Sequence, residues 1–298
     1  MQPQALLAVT WRQLRDTRAA WAAGLLGAAG NVLLGFWLRQ AARPALWREP
    51  LRLWWESQTI PVTPLLLWGG GAVLLALLAW LLALHGEAAL IATALDKPQP
   101  WREARQWIVR FVAIDTLVFL PLLMLGLIVL ALLIILLAAS LVVALRSDEP
   151  RAILLGAGGL AMLCSTSVLV LLLPLGMFTV LFRLLAFRAV GVEGLGARPA
   201  LRRAWAVVRQ SPGSTALAAV VLWGLAYGAS IVLSTVFLLL HFATALPEAA
   251  IVEAGRLTRV LQIGLALLEW APRAALFAFL GLGWTHAYRQ LARNEVAS

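Results

Sequence analysis

Leu117-Val118-Phe119-Leu120-Pro121-Leu122-Leu123-Met124-Leu125-Gly126-Leu127-Ile128-Val129-Leu130-Ala131-Leu132-Leu133-Ile134-Ile135 runs without an ionisable side chain, and the uncharged stretch continues to Leu145. A helix needs roughly 20 mostly apolar residues to cross a hydrocarbon core about 30 Å thick, because each residue advances the axis by about 1.5 Å. This stretch is long enough and predicts a spanning helix, from about Phe111 to Leu145. Five other segments meet the same requirement. They run from about Ala19 to Leu38, Pro61 to Leu84, Ala152 to Phe187, Gly213 to Phe242 and Gln262 to Tyr288. The expected fold is all-α: a polytopic integral membrane protein of about six transmembrane helices, forming one membrane domain over 1–298.

Composition agrees. Of 298 residues, 62% are hydrophobic and 13% charged, with a mean hydropathy of +0.89. Soluble domains have about 45–50% apolar and about 25% charged residues, so this chain lacks the polar groups to cover a surface facing water. The net charge of +10 comes almost wholly from arginine, Lys97 being the only lysine. A basic excess in a soluble protein would suggest nucleic acid. Here the arginines flank apolar segments, which makes them topological signals and removes nucleic acid from the expected partners. The alanine-, leucine- and arginine-rich usage suggests a bacterial cell membrane. Cys164, the lone cysteine, lies within an apolar run, which excludes a disulfide framework and a thiolate metal site. It reads as a small buried hydrophobe.

The positive-inside rule orients the chain. Placing both termini in the cytoplasm puts Arg12, Arg15, Arg18, Lys97, Arg102, Arg105, Arg110, Arg183, Arg188, Arg198, Arg202, Arg203, Arg209, Arg289 and Arg293 on the inner side. The first apolar run follows Trp11-Arg12-Gln13-Leu14-Arg15-Asp16 with no clean small-residue cleavage site, and reads as a retained anchor. The first outer loop, Arg39 to Ile60, holds Trp47, Trp54 and Trp55 among arginines and reads as an interfacial helix; a lipid- or substrate-gripping loop is the alternative. Arg146-Ser147-Asp148-Glu149-Pro150-Arg151 is too short for anything but a tight hairpin, so the third and fourth spans are expected to be antiparallel neighbours. Both are long enough to tilt, to project, or to break at Pro121 and Pro174.

A basic amphipathic stretch precedes each odd-numbered span. These are Trp11-Arg12-Gln13-Leu14-Arg15, Trp101-Arg102-Glu103-Ala104-Arg105 and Leu201-Arg202-Arg203-Ala204-Trp205. In the second, Trp101, Ala104, Ile108 and Phe111 share a helical face; in the third, Leu201, Trp205 and Val208 do. Helices of this kind lie in the interface with arginines toward anionic headgroups. Arg12, Arg15, Arg102, Arg105, Arg202 and Arg203 are the expected headgroup contacts. The chain then reads as three units over 1–95, 96–190 and 191–298, each an amphipathic helix and two spans. The competing account is that any inner loop collects arginine and tryptophan.

The stretch Leu185-Ala186-Phe187-Arg188-Ala189-Val190-Gly191-Val192-Glu193-Gly194-Leu195, leading into Ala200-Leu201-Arg202-Arg203-Ala204-Trp205-Ala206-Val207-Val208-Arg209, carries a family resemblance. It resembles the membrane domain of some bacterial glycerophosphodiester phosphodiesterases and their stand-alone relatives. There a span ends in a valine-glutamate-glycine turn, and a short Ala-Leu-Arg-Arg-x-Trp helix follows. Ala88 to Phe111 is similar in plan, as is the ending Trp284-Thr285-His286-Ala287-Tyr288-Arg289. Arg289-Gln290 departs from the acidic residue that commonly follows the terminal tyrosine. The family's phosphodiesterase activity resides in a separate soluble domain for which this chain has no room. The resemblance therefore implies a stand-alone membrane domain and no enzyme.

Ionisable groups within a span are costly and are functional candidates by default. Glu269 and Arg273, four residues apart, share a helical face and are expected to pair, with Pro272 between them. The alternative makes Glu269 one element of a solute path, binding a proton or cation. Asp115, close to the inner end of the third span, is expected to pair with an inner-loop arginine, with proton handling as the alternative. The run Cys164-Ser165-Thr166-Ser167 either lines a polar cavity or bonds neighbouring backbone. His85, His241 and His286 fall at different ends of the spans, HExxH is absent, and no metal or other cofactor is expected. Gly24, Gly27, Gly30 and the Gly224/Gly228 pair form small faces suited to helix packing. No Walker motif, GxSxG or paired-carboxylate arrangement appears. Two functions remain. One is a non-catalytic scaffold or accessory module that engages headgroups, partner proteins or further copies of itself. The other is a transporter with a polar site at Glu269. A membrane-embedded enzyme stands third, with no motif behind it.

Overall fold

Proline marks where helices begin. Pro3, Pro100, Pro150 and Pro212 each occupy a first helical position, where the missing N–H has no partner to lose. In the computed structural model, residues 2–41, 50, 52, 62–145, 150–245 and 254–296 are described. The predicted interfacial helix with Trp47, Trp54 and Trp55 lies outside them, as does the hairpin connection at 146–149. So do the side chains of Ser165 and Ser167.

The described residues form α1 (Pro3–Asp16) and α2 (Arg18–Ala41), then a turn Val62–Leu65 and a π-helical turn Leu66–Gly70 leading into α3 (Gly71–Ala94). These are followed by α4 (Pro100–Leu145), α5 (Pro150–Glu193), α6 (Ala197–Gln210), α7 (Pro212–Ala245) and α8 (Ala254–Val296). Among the described residues, six stretches are long and apolar enough to cross a membrane: Arg18–Arg39, Leu66–Ala94, Pro100–Ile135, Leu172–Glu193, Pro212–His241 and Val260–Arg293. The chain is an all-α, multi-pass membrane protein.

Two expectations are corrected. The second span does not end near Leu84: α3 continues to Ala94, so His85 and Glu87 lie inside a helix. Ala88 to Ala94 is uncharged and buried, and extending the helix satisfies backbone that an apolar setting would otherwise strand. The middle amphipathic stretch is not a separate interfacial helix but the opening turns of the 46-residue α4. By contrast α1 and α6, 14 residues each, are separate helices. Thr17 and Ser211 part them from the spans that follow. Of the courses left open for the two long spans, a break at Pro121 or Pro174 is not taken: both helices run on through their prolines. Each removes one donor, whereas unwinding a turn in lipid would expose several.

Helix ends follow residue chemistry. After α3, the Asp96 N–H donates to the Thr93 carbonyl at 3.0 Å and the Lys97 N–H to the Ala92 carbonyl at 3.0 Å. This is a Schellman pattern with Asp96 in the left-handed region at φ 52°. After α5, Gly194 takes φ 69°, which only glycine adopts at no steric cost.

Packing divides the chain into two compact units. The first comprises residues 1–109, 191–194 and 207–298. At its centre the small face of α2 admits close neighbours: Gly24 lies against Ala274 and Ala278, Gly27 against Phe277, and Gly30 against Ala79. Gly86 of α3 abuts the backbone of Ala23 and Gly27. Helices in lipid gain little from burying apolar surface against one another, so such close approaches carry much of the packing energy. The α1 helix docks through Leu6, Thr10 and Leu14, spaced four apart. The second unit comprises 110–190 and 195–206. There Phe111 of α4 and Phe187 of α5 stack with ring centroids 4.0 Å apart.

Candidate functional site

Charged groups within the spans are the first place to look for chemistry. Glu269 of α8 is buried, and Arg273, one turn further on, donates to its Oε1 at 2.6 Å from Nη2 and 2.7 Å from Nε. The pair forms as its spacing predicts. The structure adds two members that spacing does not show. Arg39, at the end of α2, places Nη2 3.5 Å from Glu269 Oε2. Arg273 Nη2 also donates to Ser234 Oγ of α7 at 3.4 Å. Two guanidinium groups therefore close on one carboxylate.

Beside Arg273 lies a cavity of about 190 Å³ between α2, α7 and α8, with Asn31, Ser230 and Phe277 on its wall. On the adjoining face, α2 and α8 enclose an apolar groove of about 270 Å³ lined by residues such as Val32, Leu33, Phe36, Ile263 and Leu267. The Trp270 indole N–H donates to the Leu25 carbonyl at 2.8 Å and ties the two helices together there.

Asp115 and Arg183 form a second ion pair, in the other unit, with Nε 2.6 Å from Oδ1 and the carboxylate buried. The Arg183 guanidinium also lies over the Phe187 ring, 4.3 Å from its centroid, a cation–π placement. Thr166 is exposed on α5.

At the end of the first unit that carries α1, a polar belt joins remote parts of the chain. The Gln13 amide donates to the Thr93 carbonyl at 3.1 Å, and Gln13 Oε1 lies 2.7 Å from His286 Nε2. Arg289 reaches the Ala94 carbonyl at 3.4 Å, and the Tyr288 hydroxyl donates to Glu193 Oε1 at 2.6 Å. The belt uses His286 structurally. His85 stacks on Trp101, and His241 Nδ1 sits 2.7 Å from the Phe237 carbonyl of its own helix. Among the described residues no group of three or more His, Cys, Asp or Glu side chains is placed to hold a metal ion.

The three amphipathic stretches share a design, though not with the faces predicted. The buried stripes are Leu6, Thr10 and Leu14; Ala104, Trp107 and Phe111; and Ala200, Ala204 and Val207. Trp101 and Trp205, expected on the apolar face turned toward the membrane, are exposed, whereas Ala104 and Phe111 of the same expected face are buried. Each stretch turns one tryptophan out beside its arginines: Trp11 is 58% exposed, Trp101 37% and Trp205 51%. Arg12, Arg15, Arg102, Arg105 and Arg202 are exposed, and Arg203 is half-buried. Gly224 and Gly228 face open space, with no atom within 4 Å of where a side chain would begin.

No family model, no curated protein and no solved structure matches this chain.

Proposed function

We propose that the protein is a non-catalytic membrane module of the bacterial cell membrane, with both termini cytoplasmic, that grips the inner headgroup layer through three basic stretches. The observation that carries this reading is the outward tryptophan beside outward arginines in each stretch. Indole rings favour the membrane–water boundary, and a basic residue near an anionic surface contributes about 1 kcal/mol. With six spans, all three stretches fall on one side of the membrane. The resemblance to a stand-alone phosphodiesterase membrane domain agrees with a module that lacks catalytic groups. It would organise anionic lipid, or hold a partner protein or a second copy against it.

The test is lipid selectivity in reconstituted vesicles containing spin-labelled phosphatidylglycerol and phosphatidylcholine. Wild type is expected to enrich the anionic lipid in its boundary layer. Replacing Arg12, Arg15, Arg102, Arg105, Arg202 and Arg203 by Gln is expected to remove most of that preference; an unchanged preference refutes the reading. A pull-down in mild detergent tests for the protein partner.

Transport is the second reading, favoured by the cavity beside Arg273. Closure of Glu269 by two arginines weighs against that carboxylate carrying a proton or cation. Glu269→Gln in proteoliposomes tests it: loss of a solute flux in a folded variant would favour transport.

A further inference from the structure

A polar side chain in the middle of a span is costly, because hydrocarbon offers it no hydrogen bonds. Asn31 of α2, Ser230 of α7 and Arg273 of α8 each lie within about four residues of the middle of their spans, Arg18–Arg39, Pro212–His241 and Val260–Arg293. All three border the cavity of about 190 Å³ between these helices.

Each brings hydrogen-bonding capacity that the fold does not use. Arg273 is held along one edge: Nε and Nη2 face Glu269 Oε1, and Nη2 also reaches Ser234 Oγ. Among the described residues its Nη1, with two N–H groups, has no hydrogen-bond partner, and neither have the Asn31 amide and the Ser230 hydroxyl. Hydroxyls in these helices otherwise bond the carbonyl one turn back, as those of Thr10, Thr179 and Thr285 do. The rest of the wall is apolar, and its Phe277 ring is packed against Gly27.

Charge, size and polarity bound what such a cavity can hold. The charge of Arg273 is answered by Glu269, so an ionic occupant would enter the bilayer with no counter-ion left on the wall, at high cost. The volume is the share of about six waters at about 30 Å³ each, whereas pockets for drug-sized ligands start at roughly 300 Å³. The unused N–H and O–H donors of guanidinium, amide and hydroxyl outnumber the two side-chain oxygens that can accept. The occupant must therefore be compact, uncharged and rich in acceptor oxygens.

We propose that this cavity binds a small uncharged solute carrying hydroxyl or carbonyl oxygens, of the size of glycerol or urea. Arg273 Nη1, Asn31 and Ser230 are its hydrogen-bonding groups, and Glu269 holds the guanidinium in place. Carriers commonly place their solute near the bilayer midplane, where these three residues lie. The proposal rests on the transport reading and names the class of solute for it.

The test reconstitutes the full chain into vesicles and follows re-swelling after a hyperosmotic step by stopped-flow light scattering, with glycerol, urea or sorbitol as the added solute. Wild type is expected to admit glycerol or urea faster than protein-free vesicles do, and sorbitol, with twice the heavy atoms of glycerol, no faster. Asn31→Leu and Ser230→Ala should each slow that entry about two- to tenfold, the range for losing one neutral hydrogen bond. Both put an apolar group into a span and leave the ion pair intact, so both are expected to fold. Arg273 stays in place, because its removal would strand Glu269. The proposal is overturned if neither glycerol nor urea enters faster than into protein-free vesicles, if sorbitol enters as fast as they do, or if Asn31→Leu and Ser230→Ala together change nothing. A flux of rubidium or chloride ions instead, lost in Glu269→Gln, would overturn the solute class and leave the transport reading standing. No flux of any of these solutes would remove both.

Discussion

Tyr288 and Glu193, 95 positions apart in the chain, meet through a 2.6 Å hydrogen bond from the phenol to the carboxylate. Glu193 belongs to the valine-glutamate-glycine turn that closes α5, and Tyr288 lies near the end of the last span. The turn therefore does more than reverse the chain. It presents an acceptor to α8, and Gly194, at positive φ, carries the backbone away from it.

Hydrogen bonds to a charged group contribute about 1.5–3 kcal/mol. Because Glu193 can be rehydrated, Tyr288→Phe is expected to cost about 1–2 kcal/mol. Thermal unfolding in detergent measures it. A double-mutant cycle with Glu193→Gln should recover most of the loss as coupling.

Glycine substitutions should divide by what each glycine touches. Gly86→Ala sets a methyl group against the backbone of Ala23 and Gly27, which cannot rotate away. Overpacking of this kind costs about 1–3 kcal/mol. Gly224→Ala and Gly228→Ala meet no atom, so both should be neutral or slightly stabilising through better helix propensity, by up to about 1 kcal/mol. Melting temperatures of the three variants give the comparison; equal losses at all three would contradict the packing described.

Asp115→Asn leaves the Arg183 guanidinium among apolar neighbours without its carboxylate. Breaking a buried pair from one side costs about 3–5 kcal/mol, and the Phe187 ring beneath Arg183 should hold the loss near the lower figure. Asp115→Asn combined with Arg183→Gln is expected to be more stable than Asp115→Asn alone. A double variant no better than the single would show that the charge was never the cost.

Outward tryptophans report where the basic stretches sit. Brominated phosphatidylcholines quench indole by contact, so bromine positioned close to the headgroups should quench the wild type more than bromine near the bilayer centre does. Trp11→Phe, Trp101→Phe and Trp205→Phe together should remove a large part of the shallow quenching. No change would place these rings away from the interface.

Span count and fold class were legible in the sequence because apolar length is a one-dimensional property. So was the Glu269–Arg273 pair, which needs only a four-residue spacing, and so was the glycine face of α2. Arg39 was not. It falls where the first apolar run ends and reads as one more loop arginine, and its 3.5 Å ion-pair contact with Glu269 depends on how α2 and α8 pack. The belt of Gln13, Thr93, His286 and Tyr288 escaped for the same reason. That Trp107 is buried while Trp101 is exposed has another cause. In water, the apolar face of a helix is the buried one. In lipid, both faces are apolar, and small residues such as Ala104 and Ala200 mark the protein side better than large ones.

The unbroken course of α4 through Pro121 sets the length of the helix against that of its solvent. Beyond its basic opening turns, residues 111–145 extend about 50 Å, well beyond a hydrocarbon thickness of about 30 Å. The α5 helix, with 44 residues, is nearly as long as the whole of α4. An upright helix of that length would carry apolar turns out of a thin bilayer, so it must lean or gather thicker lipid around itself, at fractions of a kcal/mol per Å of mismatch. Such long helices make the protein sensitive to acyl-chain length. Its stability should rise through a series of phosphatidylcholines of increasing chain length, and in a membrane of uneven thickness it should collect where the bilayer is deepest.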